Sequence, residues 1–348
     1  MGEYSRVNIN WEVEGMSTLA RFWSKLEDNK VRCELCPYRC ILKEGQTGVC
    51  RVRKNIGGKL YTLNYGKVSS IAVDPIEKKP LFHFHPSSEV LSLSTVGCNL
   101  RCRHCQNWEI SQKGIEFPYL REMGPEDVLK IAKNYEGVAW TYNEPIIWHE
   151  FTMDTSKLLK KEGLYTVYVT NGYINPEPLE EVLKYIDAFN IDIKAFTENF
   201  YKRITAGSLA PVLQTAEKIF MAGKHLELTY LIIPTLNDSE EEIKRFAGWV
   251  AGLSTDIPVH FSRFFPMYRM TELPPTPVKK LHAAYKIAKD AGLEFVYLDN
   301  TWEPEYESTY CPGCGSLLIE RMYYHTRVLG LTPDSHCKKC GRKINIVL

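Results

Sequence analysis

The chain has 348 residues, with 43 Lys plus Arg against 42 Asp plus Glu and a net charge of +1. That length can bury a sizeable core in one large domain with small appendages, and the balanced charge gives no support to nucleic-acid or anionic-membrane binding. Residues 1–20 show no export signal, Gly2 and Ser5 are out of register for an acylation motif, and no run reaches the length of a membrane span, so a cytoplasmic protein is expected.

In chain order, residues 1–87 read as a separate Cys-rich, metal-binding domain. It contains a hairpin-like turn at Gly57-Gly58, stretches over 59–65 and 68–73 rich in β-branched and aromatic residues, and a polar segment over 74–80. His83 and His85 alternate on an extended segment and share one face; satisfied structural histidines are the simpler reading. Strands are then expected over 90–96, 137–142, 165–170, 188–193, 225–233, 259–264 and 295–298, and helices over 125–134, 147–161, 176–185, 211–222, 239–251 and 278–291. Gly163 and Gly223 serve as helix stops, Pro176 opens a helix, and residues 237–239 are cap material. Six βα units with a seventh strand predict an α/β domain over 88–300 with a parallel sheet and right-handed crossovers. A partial (β/α)6-type TIM barrel fits this count best, with a doubly wound sheet as the alternative. Residues 301–308 read as a linker, and 301–348 as a third domain.

All eleven cysteines fall into metal-ligand spacings. Cys33, Cys36, Cys40 and Cys50 number four, so a closed site is expected there, with zinc or an iron–sulfur cluster as occupant. A structural ion is the default for that group and an auxiliary electron-transfer cluster the sharper alternative. Cys311, Cys314, Cys337 and Cys340 form two knuckles, each followed by glycine, which predicts a zinc ribbon. Lys338, Lys339, Arg342 and Lys343 beside them read as a solvated charge cluster. Disulfides fit less well, because paired cysteines in an intracellular chain are metal ligands before they are disulfides.

The middle group is different. Cys98, Cys102 and Cys105 are three ligands where a cubane cluster needs four, so one iron would be left open to a chelating ligand such as an amino acid. Zinc would need His104 as a fourth ligand, but His104 directly precedes Cys105, and adjacent residues rarely both reach one ion. The loop follows the first core strand, and in parallel βα folds the loops at the C-terminal strand ends build the active site.

The segment from Gly97 to Cys105 resembles the C-x3-C-x2-C signature of the radical SAM superfamily, with His104 where the family usually has Tyr or Phe. The resemblance implies a [4Fe-4S] cluster on Cys98, Cys102 and Cys105 that binds S-adenosylmethionine and cleaves it reductively to a 5′-deoxyadenosyl radical. It further implies cofactor-binding roles at three strand ends. Asn143 and Glu144 stand where the family often has Gly-Gly-Glu-Pro, and Glu144 would accept from the ammonium of S-adenosylmethionine. Thr170 and Asn171 match a Thr-Asn-Gly segment. Asp192 and Lys194 match Asp-x-Lys, with Lys194 meeting the carboxylate and Asp192 orienting it or ligating a cation. Val169 replaces the Asp that the branch usually has before Thr-Asn-Gly.

Within the superfamily the chain most resembles the pyruvate formate-lyase activating enzymes, and most of all the radical SAM enzyme of the AmmeMemoRadiSam system. The matching residues lie over 33–37, 45–51, 74–80 and 105–111. The resemblance implies an activase that abstracts hydrogen from a glycine of a partner protein. Its implied partners are an electron donor such as ferredoxin or flavodoxin, and a glycyl radical enzyme or the partner families of the AmmeMemoRadiSam system. Radical modification of another protein, lipid or RNA base is the second hypothesis, and a non-enzymatic iron–sulfur and zinc scaffold the third. Each core motif also has a plain structural reading: Asn-Gly makes turns, Glu-Pro opens helices, and Asp–Lys pairs form surface ion pairs.

Overall fold

Apolar strands alternating with amphipathic helices have one economical solution, a buried parallel sheet covered by its crossover helices. The structure, a computed structural model, describes residues 18–322 and 325–348. The start of the chain examined for export and acylation signals, 1–17, lies outside the described residues. The core is an eight-stranded sheet: β1 (Ser70–Pro75), β2 (Glu89–Ser94), β3 (Gly137–Trp140), β4 (Tyr165–Thr170), β5 (Ala188–Asp192), β6 (His225–Ile232), β7 (Val259–Arg263) and β8 (Val296–Asp299). The strands stand side by side in sequence order. β2 to β8 are mutually parallel, and β1 pairs antiparallel with β2.

The crossover helices are α1 (Pro125–Ala132), α2 (His149–Lys161), α3 (Pro176–Tyr185), α4 (Leu209–Met221), α5 (Glu240–Leu253) and α6 (Val278–Asp290). Right-handed crossovers that all advance in one direction put these helices on one side of the sheet. The doubly wound alternative is excluded, because it needs a point where the strand order reverses, and this order has none. The burial fits a sheet enclosed on both faces: all four residues of β3 are buried, as is β5 up to its last residue.

Element boundaries depart from the sequence expectation by a few residues, for local reasons. β3 ends at Trp140, and Tyr142 beyond it takes φ 67°, a left-handed conformation incompatible with a strand. The helix expected over 147–161 begins instead as a 3₁₀ turn, Pro145–Trp148, before α2. Pro145 presets the first turn, and the Glu144 carboxylate accepts from the Ile146 amide at 3.0 Å. Before α5, Ser239 caps as expected, accepting from the Glu242 amide.

The N-terminal hairpin is Arg53–Ile56 against Lys59–Thr62, turning on Gly57 (φ 60°) and Gly58 (φ 71°). The stretch over 68–73 does not stay with that hairpin: it contributes β1 to the main sheet, across the expected 87/88 boundary. At the other end, the antiparallel strands Thr309–Tyr310, Leu317–Met322 and His325–Val328 form a small sheet. Leu318, Ile319, Ile344 and Ile346 from this region pack against Phe82, Phe295 and Tyr297 in a second core. Arg321 is buried within it, donating to the Phe82 carbonyl at 2.5 Å and to the Thr309 hydroxyl at 2.8 Å.

Candidate active site at the strand ends

A cavity of about 520 Å³ opens where the C-terminal ends of β2 to β8 meet. Its wall includes Cys98, Cys102 and Cys105, together with Asn143, Glu144, Thr170, Asn171, Asp192 and Lys194, so the three motif segments and the three-cysteine loop share one site. The loop is held by backbone contacts. Gly97 takes φ 90°, and a Cβ there would come within 2.5 Å of the Cys50 carbonyl oxygen, so only glycine fits. Asn143 donates to the Gly97 carbonyl at 2.9 Å and accepts from the Thr95 amide at 3.3 Å, which ties the end of β3 to the cysteine loop.

The three sulfurs carry the features of metal ligands. None is in a disulfide. The Leu100 amide donates to Cys98 Sγ at 3.3 Å, the Asn171 side-chain amide points at the same sulfur from 3.7 Å, and Cys105 Sγ lies 3.1 Å from the Ser111 hydroxyl. Burial pushes the Cys98 thiol well up, reinforced by Glu144, and pushes Cys102 up to about 12 against the pull of Lys194. Buried thiolates at such positions exist only with a metal charge to compensate them. Three soft donors lining one cavity, with two N–H groups aimed at Cys98 and a hydroxyl beside Cys105, therefore fit an iron–sulfur cluster with one open iron.

Glu144 links two strand ends. One oxygen accepts from the Ile146 amide and the Thr170 hydroxyl (2.7 Å), and the other from the Asn171 amide (2.8 Å). Burial raises its carboxyl to about 7, against those hydrogen bonds. The second oxygen keeps a lone pair for a ligand. Asn171 also donates to Asn99 Oδ1 at 2.9 Å. Lys194 reaches Asp192 at 2.8 Å. Burial works against its ammonium, but Asp192 and Cys102 hold it charged and above its ordinary range. His104 is buried in the wall with neither ring nitrogen hydrogen-bonded, and burial drives it down to about 3, so the ring is neutral.

Sequence reasoning missed further charged residues lining the same cavity. Lys79, 1% exposed, bonds Asp74 at 2.6 Å, and its ammonium sits 4.5 Å over the Tyr142 ring. Tyr142 itself donates to Asp74, and burial lowers Lys79 to about 8. Glu77, Asp299 and Glu307 also line the cavity, with burial and then Asp299 raising Glu307 to about 7. The signal was present as buried charge in the polar segment over 74–80, but polarity at sequence level reads as a surface loop. His83 lies elsewhere, its ring nitrogens 2.9 Å from the Asn345 carbonyl and 2.6 Å from the Tyr297 hydroxyl, a satisfied structural histidine.

The outer cysteine groups differ from each other. Cys311, Cys314, Cys337 and Cys340 have all four sulfurs within 4.8 Å of one another, with Cys311–Cys340 at 3.6 Å and Cys314–Cys337 at 3.7 Å. A tetrahedral site with metal–sulfur bonds of about 2.3 Å requires sulfurs about 3.8 Å apart, so this group could hold a single ion. Among the described residues it is the one group of His, Cys, Asp or Glu ligands gathered that tightly. Cys33, Cys36, Cys40 and Cys50 are also free of disulfides, but they surround a small cavity.

Comparison with known proteins agrees with this geometry. Residues 92–247 match the Radical SAM superfamily model. The chain is 47% identical over 334 residues to an uncharacterized protein of Methanocaldococcus jannaschii, MJ0808, covering 94% of this chain and 99% of that one. It is 29% identical over 168 residues to the pyruvate formate-lyase-activating enzyme of Clostridium pasteurianum, covering 45% of this chain and 67% of the relative. It is 26% identical over 164 residues to the pyruvate formate-lyase 1-activating enzyme of Escherichia coli K12, covering 43% of this chain and 63% of that enzyme. Among solved structures, a radical SAM methyltransferase from Sphaerobacter thermophilus aligns with a TM-score of 0.49 at 13% identity, covering 62% of this chain and 67% of the other. With its cysteine loop, its strand-end cavity and these relatives, the chain belongs to the radical SAM superfamily.

Proposed function

We propose that this protein reductively cleaves S-adenosylmethionine and uses the product radical to activate a glycyl radical enzyme, as the names of its activating-enzyme relatives suggest. The observation that carries the reading is the convergence of exactly three free thiols with Glu144 and Lys194 on one cavity at the strand ends. Cys98, Cys102 and Cys105 would hold a [4Fe-4S] cluster, which would supply a low-potential electron and a coordination position for the methionine end of S-adenosylmethionine. Glu144 then receives the ammonium on its remaining lone pair, and Lys194 meets the carboxylate as a point charge, oriented by Asp192. Thr170 and Asn171 fix Glu144 through hydrogen bonds, and Asn143 fixes the cysteine loop through Gly97. The neutral His104 ring would stack or pack against the adenine edge.

In this reading the sheet is a partial barrel, residues 88–300 form the catalytic domain, and 301–348 form a zinc ribbon on Cys311, Cys314, Cys337 and Cys340. Ferredoxin or flavodoxin supplies electrons in the cytoplasm. Among the described residues no helix is long and apolar enough to cross a membrane. Modification of a different substrate is the second reading. The observation favouring it is the set of charged lining residues Glu77, Lys79, Asp299 and Glu307, which lie outside the matched 92–247 segment. The test is anaerobic reconstitution with iron and sulfide followed by assay of 5′-deoxyadenosine. Its formation, with a glycyl radical EPR signal in a partner, supports the activase. Its formation without such a partner favours the second reading, and no 5′-deoxyadenosine with dithionite refutes both.

A further inference from the structure

We infer that Cys33, Cys36, Cys40 and Cys50 hold an iron–sulfur cluster, not a single ion, and that this cluster relays electrons from a low-potential donor protein to the Cys98–Cys102–Cys105 site. The inference goes beyond the proposed function, and only its relay half rests on it.

The argument for a cluster begins with an internal comparison. The C-terminal quartet is closed to ion spacing, whereas no three of the four N-terminal sulfurs lie within 4.8 Å of one another. They stand around an enclosed, largely apolar cavity of about 10 Å³. A single tetrahedral ion draws its sulfurs into mutual contact, while a cluster of irons and sulfides holds its cysteines farther apart.

A second observation points to an anionic occupant. Arg53 lines the cavity, is 1% exposed, and has two nitrogens, Nε and Nη1, with no hydrogen-bond partner. Its remaining nitrogen is engaged by Glu150 and the Arg21 carbonyl. A buried guanidinium with two idle donors is costly unless something negative accepts from them. Cluster sulfurs with thiolate ligands are such acceptors, and hydrogen bonds to them set the potential.

The relay follows from position. Asn99 lines the N-terminal cavity, while its neighbour Cys98 lines the active-site cavity. Consecutive Cα atoms are about 3.8 Å apart, so the two sites share a wall. Arg101 donates to the Val49 carbonyl beside Cys50 and to the Cys98 carbonyl, bracing one site on the other. Cys40 is half-buried, and Arg39 and Ile41 on either side of it are exposed, so the quartet reaches the surface there. One electron would pass from the reduced donor, which is oxidised, through the N-terminal cluster to the second cluster. From there it enters the sulfonium of S-adenosylmethionine and breaks the C5′–S bond, giving methionine and the 5′-deoxyadenosyl radical.

The test uses the full-length protein, reconstituted anaerobically with iron and sulfide and reduced by dithionite. EPR of the unmutated protein should show two cluster signals, of which S-adenosylmethionine alters one. The C98A/C102A/C105A protein should lose the responsive signal and keep the other, with its iron. A single signal, with all iron lost in that triple variant and zinc bound to both outer quartets, overturns the cluster. For the relay, Arg53→Gln should lower the midpoint potential of the unresponsive signal and slow reduction of the responsive one by ferredoxin. Dithionite, small enough to enter the active-site cavity directly, should reduce the responsive signal as fast as before. Equal rates with ferredoxin in Arg53→Gln and unmutated protein overturn the relay. Two signals without 5′-deoxyadenosine would instead refute the proposed function and leave the cluster standing.

Discussion

Lys194 illustrates how a buried side chain keeps its charge at the cavity. Burial opposes its charge, yet Asp192 at 2.8 Å and the neighbouring Cys102 keep it protonated. A charge-assisted contact to a carboxylate is worth about 1.5–3 kcal/mol. Lys194→Ala should therefore weaken S-adenosylmethionine binding about 10- to 100-fold while cluster assembly proceeds normally. Titration of S-adenosylmethionine against the reduced cluster by EPR measures this, and unchanged affinity in both Lys194→Ala and Glu144→Gln would remove these residues from the site. Glu227 makes the opposite use of buried charge. It accepts from the Phe82 and His83 amides and from His225 and His260. Burial alone would lower His260, but Asp299 and Glu227 raise it to about 9 from an ordinary 6.5. A folded-state value above the unfolded one stabilises fully below about pH 6.5 and is lost as pH rises through about 9, at most about 3 kcal/mol. Urea unfolding at the two ends of that window should show the decline. Glu227→Gln should flatten it and cost about 3–5 kcal/mol, because histidines and amides lose a buried partner.

Two elements decide whether the cysteine groups can work. The loop after β2 depends on Gly97, whose φ of 90° and contact with the Cys50 carbonyl leave no room for a methyl group. Gly97→Ala combines strain with a clash and should cost more than about 1 kcal/mol. It should also reduce iron incorporation at both neighbouring cysteine groups, measured as iron per chain after reconstitution. Normal iron content would show that the loop relaxes freely. The C-terminal quartet turns on Gly315 (φ 70°) and Gly341 (φ 75°), with their amides donating to the Cys311 and Cys337 carbonyls at 2.8 Å. Metal analysis should find one zinc there, and its chelation should destabilise the small sheet, since structural metals contribute folding free energy directly. Disulfides in protein purified without oxygen would overturn that expectation.

At the scale of the whole molecule, the core is braced at both ends by segments far apart in sequence. Phe84 bridges Val347, His83 meets Asn345, and Arg321 bonds the Phe82 carbonyl. The polar segment just before them supplies Lys79 to the active-site cavity. Removing the Arg321 guanidinium should therefore act beyond the small C-terminal sheet. Arg321→Met should cost about 1–3 kcal/mol through the acceptors it strands. It should also perturb the charged cavity lining, read as altered turnover of bound S-adenosylmethionine once substrate is present. Loss of stability with unchanged turnover would confine its role to the small C-terminal sheet.

The βα alternation was legible because strand and helix periods are local properties, and all six helices and seven parallel strands appear within a few residues of their expected spans. The cysteine spacings named the candidate ligands for the same reason: ligand geometry is written in short offsets. β1 was not recognised as part of the main sheet, because antiparallel pairing to β2 is a tertiary choice between two available edges. The charged lining of the cavity outside the motif segments was also hidden. Lys79, Glu77 and Glu307 read as solvated charges until the fold takes them from water, and only then do burial and neighbours shift Lys79 down and Glu307 up. Nor does cysteine spacing distinguish an ion from a cluster. By itself the sequence determined the class of fold, the three cysteine groups and the superfamily resemblance, all carried by local periodicity and spacing. Only the tertiary structure decided that one quartet closes to ion spacing while the other stays open beside the three-cysteine loop, because the distance between sulfurs is set by what packs around them.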